Sequence, residues 1–326
     1  MNKELYNLIQ NTRSTLQYLD LSTNKKINSI IKLIEINILE KNLNYKLSEM
    51  AVKETGFGNI NDKMYKNFYK TKNLLKDISK IKVNEPFYNK KKKIYEIIKP
   101  IGLICGVTPS TNPVATALNY IINSIKCRNA IIICPNPRSY EVTNLLVYKI
   151  KKIFRENSIP DEIVNIVPKS VLRSEELISI FDSCDKNIVT GNKNFINKVR
   201  KSSRPFLTFG VGNVPVIINH DANLSYAIKS IIKSKTFDNS TSCSADSVLI
   251  VHEKIYKKFL KKLLLNKCYV LKNNDKEKLN KIYFTKGFVN PNIIGKDAKS
   301  ILKFIEVKEN NKKLIIYEKN KFDKNH

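Results

Sequence analysis

Ile101-Gly102-Leu103-Ile104-Cys105-Gly106-Val107-Thr108-Pro109-Ser110-Thr111-Asn112-Pro113 joins a short apolar run to a polar turn bracketed by two prolines. Ile101 to Val107 reads as a strand, followed by a turn and a helix from about Pro113. Asn112 before Pro113 has the form of a plain helix cap with proline at the first helical position. Hydroxyls and an amide also crowd this helix start, where backbone N–H groups face a phosphate or an oxyanion. On spacing alone the two readings stand level.

Working outward, the same alternation recurs. Ala130 to Cys134 reads as a second strand with a helix after Pro137, and Ile163 to Val167 and Asn187 to Val189 as the third and fourth. Strands alternating with amphipathic segments imply an α/β protein with a parallel, doubly wound sheet. Such sheets bind ligands at the carboxyl ends of their strands. Before this region, Ile27, Ile31, Ile34 and Ile38 recur at helical spacing and read as core, so the first eighty or so residues are expected to be helical. Phe206 to Asn213, where two glycines interrupt an apolar run, looks like a domain junction. Beyond it, Val214 to Ile218 reads as a strand and Leu224 to Lys235 as a helix, and Val248 to Val251, Ile255 to Leu265 and Ile301 to Ile316 continue the α/β pattern. The tail from Glu318 is polar and expected to fray.

The chain has 326 residues, enough for two domains, and its 42% hydrophobic content is that of a globular protein. No apolar run reaches the roughly 18 residues of a membrane helix, and the N-terminus lacks a signal-peptide core, so a cytoplasmic protein is expected. Lys and Arg outnumber Asp and Glu by 58 to 29, a net charge of +29. Phosphate contacts to nucleic acid are made by these residues. Here, however, the charge is spread along the whole chain, Arg is scarce, and no zinc-finger or RNP pattern appears. Lys, Asn and Ile, all with AT-rich codons, dominate together, so codon bias accounts for the charge and no nucleic-acid partner is expected. The six cysteines form no CxxC pair, which argues against a metal site. With three histidines, His220, His252 and His326, a nucleophile here is expected to act without a histidine neighbour in sequence.

Four segments carry candidate chemistry beside the opening turn. Pro135-Asn136-Pro137-Arg138 ends the second strand, where a doubly wound sheet presents a nucleotide ribose. Arg138 there reads equally as a phosphate contact or a solvated residue. Thr190-Gly191 and Gly210-Val211-Gly212-Asn213 would let backbone approach a cofactor, although neither is a GxGxxG fingerprint and a plain turn glycine is the favoured reading of the residues alone. In Lys235-Thr236-Phe237-Asp238-Asn239-Ser240-Thr241-Ser242-Cys243-Ser244-Ala245-Asp246-Ser247 a helix runs into a small polar loop and a cysteine precedes a strand. Small neighbours leave the sulfur accessible; a buried loop thiol is the competing reading, which the residues alone favour slightly.

Taken together these segments resemble the aldehyde dehydrogenase superfamily, specifically its CoA-acylating branch of acetaldehyde and sulfoacetaldehyde dehydrogenases. The matching pieces occur in family order: Glu54-Thr55-Gly56-Phe57-Gly58, Pro100 to Pro113, Arg128-Asn129-Ala130, Pro135 to Arg138, Gly210 to Pro215, and Ser234 to Ser247, within a span from about Leu47 to Ile316. The resemblance implies an α/β fold with helices and a Rossmann-like NAD(P)-binding domain over residues 1–209, and an incomplete catalytic domain over 210–326.

It also implies roles. Cys243 matches the nucleophile and Asn112 the amide of the oxyanion hole. Val107, Thr108, Pro109, Ser110, Thr111 and Asn112, with Gly191, Gly210 and Gly212, match the lining of the nicotinamide site. Pro135, Asn136, Pro137 and Arg138 match its adenosine-ribose side. Phe209 falls near the place where hydrolytic members carry a glutamate base, which fits acyl transfer to CoA instead of water. The implied activity is oxidation of a short aldehyde to its acyl-CoA with NAD or NADP, through a cysteine thioester. Thr241-Ser242-Cys243-Ser244 lies closer to sulfoacetaldehyde-type members. The implied partners are the aldehyde and CoA, with no membrane, no nucleic acid and no metal.

Family members continue well past the position matched by Ile316, with a glutamate for the nicotinamide ribose and a strand used in homo-oligomers. This chain is therefore expected to be a fragment, a frameshift product or half of a split enzyme, weak in activity by itself. The rival readings are a remnant that binds a nucleotide or a full-length partner, a basic nucleic-acid-binding protein, and an acyl-phosphate reductase of the same superfamily.

Overall fold

The computed structural model describes residues 3–191, 193–210, 212–285, 288–290 and 292–319. The chain divides into two compact units, Met1–Thr55 with Ile60–Val211, and Gly56–Asn59 with Gly212–His326.

The first unit opens with helices α1 (Lys3–Ser14), α2 (Leu16–Asp20), α3 (Asn24–Ile38), α4 (Lys41–Thr55) and α5 (Ile60–Ile78). The α3 stripe behaves as its spacing predicts: Ile27, Ile31, Ile34 and Ile38 are all buried, together with Ile30. Thr23 caps this helix by accepting the Lys26 N–H at 3.2 Å. A hairpin of β1 (Phe87–Asn89) and β2 (Ile94–Glu96) follows.

Five parallel strands then form the central sheet: β3 (Leu103–Thr108), β4 (Ala130–Pro135), β5 (Val164–Ile166), β6 (Lys186–Thr190) and β7 (Phe206–Phe209). Their spatial order is β5-β4-β3-β6-β7, so the winding reverses between β3 and β6. The intervening helices are α6 (Pro113–Lys126), α7 (Tyr140–Glu156), α8 (Glu176–Ser183) and α9 (Lys193–Val199). Every residue of β3 and β4 is buried, the pattern of strands covered on both faces. At Gly106 an added Cβ would meet Tyr120 Cδ2 at 2.9 Å, so glycine lets α6 lie close on β3.

The boundary between the two units, after Val211, falls within Phe206 to Asn213, which the sequence presents as a junction, and the first part of that segment, Phe206–Phe209, is the sheet's edge strand. Three of its four residues are exposed, which hides the apolar signature of a buried strand.

Charged side chains fix the amino end of this sheet. Asp185 accepts the Leu103 N–H at 2.7 Å and both Arg13 nitrogens at 2.9 Å. Burial raises the Asp185 carboxyl, but the Arg13 and Leu103 hydrogen bonds outweigh it and hold it below its ordinary range. Asn129 Oδ1 accepts the Ile101 and Gly102 N–H groups at 2.6 and 2.9 Å, and Arg128 Nη2 donates to the carbonyls of Val83 and Ile98 at 2.9 Å. The Arg128-Asn129-Ala130 motif thus serves the framework.

The second unit holds two parallel strand pairs, β8 (Pro215–Ile218) with β9 (Val248–Val251) and β10 (Cys268–Val270) with β13 (Leu314–Ile316). The antiparallel pair β11 (Phe284–Thr285) and β12 (Phe288–Val289) comes between β10 and β13 in sequence. Its helices are α10 (Leu224–Thr236), α11 (Glu253–Leu265), α12 (Asn273–Tyr283) and α13 (Ala298–Phe304). Ile218, Ile228, Ile231, Phe259, Leu263 and Cys268 form the core of this unit. No helix among the described residues is long and apolar enough to cross a membrane.

Candidate active site

In the first unit, the segments singled out by sequence gather at the carboxyl edge of one sheet. Thr108 pairs with Pro135 in register, Val107 with Val189, and Thr190 with Phe209. The turn Pro109–Asn112, the segment Pro135–Arg138, Gly191 and Gly210 therefore leave the sheet side by side, at the edge where the winding reverses. Asn136 N–H donates to the Thr108 carbonyl at 3.1 Å and ties two of these exits together. Tyr120 on α6 joins Thr190 through their hydroxyls at 2.6 Å. Arg138 is exposed, and its N–H is accepted by Asn136 Oδ1 at 3.0 Å.

These residues fit a dinucleotide. Doubly wound sheets bind ligands where the strand order reverses. A Cβ on Gly191 would meet nothing closer than Phe195 at 3.7 Å, and one on Gly210 nothing closer than Ile196 at 3.8 Å. Packing among the described residues therefore does not require glycine at either position, and a backbone without Cβ there suits close approach by a ligand. Thr108 Oγ1, at the tip of β3, is buried without a hydrogen-bond partner among the described residues.

Asn112 sits at the N-cap of α6, and its carbonyl accepts the Thr116 N–H at 3.1 Å. Its side chain makes no capping bond. Instead its Oδ1 accepts from Lys66 Nζ at 2.6 Å, and the neighbouring Lys63 Nζ donates to the Thr111 carbonyl at 3.2 Å. Both lysines are buried, on one face of α5. Glu54, in the Glu54–Gly58 motif, accepts the N–H groups of Glu141 and Val142 at 2.8 and 3.0 Å and caps α7 with charge.

In the second unit, α10 runs into a left-handed turn. Asp238, Asn239 and Ser240 hold φ of 47°, 49° and 64°, a run of positive values that non-glycine residues seldom adopt. The turn is held from beneath. Asp238 is fully buried; its carboxylate accepts the Asn59 N–H at 3.0 Å and the Thr241 hydroxyl. Asn239 Nδ2 and the Gly58 N–H both donate to the Gly295 carbonyl at 3.0 Å, and Lys296 Nζ donates to the Gly56 carbonyl at 2.9 Å. A Cβ on Gly295 would meet Phe57 at 2.9 Å, and Gly295 itself holds φ +68°.

Cys243 emerges from this braced turn and is exposed, so it is not a buried loop thiol. A Cβ on Gly212 would lie 3.6 Å from the Cys243 carbonyl oxygen. The other cysteines are less accessible: Cys105, Cys134, Cys184 and Cys268 are buried and Cys127 half-buried. Burial pushes Cys134 up to about 12 and Cys268 to about 11, and it raises Cys127. Cys105 is raised by its hydrogen bond to Cys184 and by burial. At the start of the loop, burial lowers the Lys235 ammonium, opposed by Asp246.

The first unit thus carries a doubly wound parallel sheet whose carboxyl edge fits a dinucleotide, and the second presents an exposed cysteine, which defines a class of two-unit α/β protein. The profile of the aldehyde dehydrogenase family matches residues 36–325, and the chain belongs to that family.

Among its relatives is the sulfoacetaldehyde dehydrogenase (acylating) of Cupriavidus necator, 32% identical over 265 residues, which are 81% of this chain and 54% of that protein. A sulfoacetaldehyde dehydrogenase of an Acholeplasma species is 31% identical over 305 residues, covering 91% of this chain and 62% of that protein. The chain thus spans between half and two thirds of these relatives. The crystal structure of an acetylating aldehyde dehydrogenase from Geobacillus thermoglucosidasius superposes with a TM-score of 0.92 at 27% identity, covering 98% of this chain and 71% of that one.

Nothing in the sequence marks Lys63, Lys66 or Gly295 for a role; Asp238 is visible only as one residue of the cysteine loop, and Gly56 and Gly58 only as part of the Glu54–Gly58 motif.

Proposed function

We propose that this chain carries the acylation chemistry of a CoA-acylating aldehyde dehydrogenase, with Cys243 as nucleophile. The observation that carries this reading is the exposed Cys243 on a braced left-handed turn, while the described alternatives are buried or half-buried.

The Cys243 sulfur, as thiolate, adds to the carbonyl carbon of a short aldehyde, and the carbonyl electron pair moves onto oxygen. Asn112, through its amide, donates to that oxyanion; one such donor is worth roughly 10²- to 10³-fold in rate. Val107, Thr108, Pro109, Ser110, Thr111, Gly191, Gly210 and Gly212 would hold the nicotinamide end of NAD or NADP, and Pro135, Asn136, Pro137 and Arg138 its adenosine ribose. The dinucleotide, when bound, supplies the acceptor for the hydride that leaves the carbon as the oxyanion collapses. Cys243 is left as a thioester, and the CoA thiolate displaces it to give acyl-CoA. Phe209, at the end of β7, brings no carboxylate to activate water, which favours a thiol as acceptor. The acylating names of relatives, and the Thr241-Ser242-Cys243-Ser244 sequence, support a sulfoacetaldehyde- or acetaldehyde-type substrate.

The test is mass spectrometry of the purified chain after mixing with short aldehydes and NAD or NADP. A mass increment on the Cys243 peptide, absent in Cys243→Ala and discharged by CoA, is the expected result. Acylation of Cys105, Cys134 or Cys184 instead, or dinucleotide binding with no adduct, would overturn the assignment.

A further inference from the structure

Resting on that acyl-transfer reading, we infer that Lys66 is a positioning residue for acylation: it holds the Asn112 carboxamide in the one orientation that presents its NH₂ end as the donor.

Asparagine at an N-cap ordinarily turns its side-chain oxygen onto the N–H groups of the first helical turn. Asn112 occupies that place, before Pro113, yet makes no capping bond. Its oxygen is taken by Lys66 Nζ at 2.6 Å. An ammonium has donors and no acceptor, so it can bind only Oδ1 of a carboxamide. The amide group is planar with oxygen and nitrogen on opposite branches. Fixing Oδ1 toward α5 therefore turns Nδ2 away from that helix, where one of its N–H groups reaches Thr111 Oγ1 at 3.4 Å, and removes the flipped orientation, in which a carbonyl oxygen would face the developing anion. The charge on Lys66 also draws electron density toward Oδ1, which strengthens the N–H groups as donors.

The placement is costly, and the cost argues for a role. Lys66 and Lys63 are 3% and 4% exposed, in a chain whose lysines are otherwise mostly at the surface. A buried charge is expensive unless it is paired and hydrogen-bonded. Two lysines one turn apart on α5 both direct Nζ at the same turn, Lys63 to the Thr111 carbonyl at 3.2 Å and Lys66 to the Asn112 amide. Together with Asn67 and Ala51 they line a small cavity against Asn112 and Pro113.

Lys66→Met keeps the stem and removes the donor. It is expected to lower the single-turnover rate of Cys243 acylation by about tenfold or more, since roughly 1 Å of misplacement costs up to a hundredfold. Aldehyde and dinucleotide affinity should change little, and Lys66→Arg, which keeps a cationic donor, should recover part of the rate. The deciding comparison is the double variant: Lys66→Met added to Asn112→Ala should slow acylation no further than Asn112→Ala does. Additive losses, or a loss confined to affinity, would overturn the proposal.

A second readout does not depend on turnover. The side-chain amide ¹⁵N resonances of Asn112, identified by their loss in Asn112→Ala, should shift in Lys66→Met. Unchanged resonances overturn the anchoring. If the unsubstituted chain forms no acyl adduct, the acyl-transfer reading falls and the catalytic role of Lys66 falls with it. A shift in that case still supports the hydrogen bond.

Discussion

At Cys243 the side chain is exposed, while burial raises the thiols of Cys127, Cys134 and Cys268. Because the thiolate is the reactive form, a thiol at about 12 holds only on the order of one part in ten thousand thiolate at pH 8. Iodoacetamide at that pH is expected to label Cys243 first and the buried thiols only on unfolding, as peptide mapping would show. Comparable labelling of Cys134 or Cys268 would contradict it. Asn112→Ala is expected to slow acylation roughly 10²- to 10³-fold with dinucleotide affinity little changed; a loss of dinucleotide binding alone would move Asn112 out of the oxyanion role. Cys243 and Asn112 stand out as candidates because a cysteine among small polar residues and an amide before Pro113 differ from their surroundings, although the residues alone lean toward a buried thiol at Cys243 and leave Asn112 level with a plain helix cap. Lys66 does not. In a chain with 58 Lys and Arg, a lysine on an amphipathic helix reads as solvated, and only three-dimensional packing shows that Lys63 and Lys66 point inward.

Among the elements, β3 and β4 were legible from their apolar runs, each within about two residues, because strands covered on both faces carry little but apolar side chains. The edge strand β7 was not, since exposure replaces that signature with the look of a linker. The left-handed turn at Asp238–Ser240 was hidden too: its partners lie far away in sequence, and no glycine marks it. Gly295→Ala is expected to cost about 2–4 kcal/mol in the second unit, combining a left-handed backbone with overpacking against Phe57. Urea unfolding would measure it, and a change within 0.5 kcal/mol, the usual range of neutral surface changes, would show that the brace yields. At the other sheet, Asp185 is depressed in the fold, so its contribution is present above its unfolded value of roughly 4 and lost as pH falls through the folded one. Asp185→Asn should therefore destabilise the protein at pH 7 and flatten the decline of stability between about pH 5 and 2. An unchanged acid limb would assign that decline to other carboxylates.

For the whole molecule, the two units differ in how well their sheets are covered. Leu103 and Ile131–Ile133 are essentially inaccessible, whereas Ile217 on β8 is 76% exposed and Ile250 on β9 47%. Parallel strands are ordinarily buried on both faces, so β8 and β9 are expected to open more readily. Amide hydrogen exchange should show protection in β3 and β4 at least about tenfold above that in β8 and β9, and equal protection would contradict the uneven cover. The sequence conveyed two regions but not that Gly56–Asn59 belongs with the second of them. That small insert has a consequence for how the protein is made. Asn59 leaves the ribosome 179 residues ahead of Asp238, the side chain that fastens it, and Gly56 is synthesised 240 residues before Lys296. At roughly 5–20 residues per second, the early segment waits on the order of ten to forty seconds for Asp238. By the end of that interval every strand of the first unit's sheet has been made, while the turn that precedes Cys243 is only just emerging. The nascent chain thus holds every strand of its first sheet before the turn that precedes Cys243 can be fastened to Asn59 and Gly58.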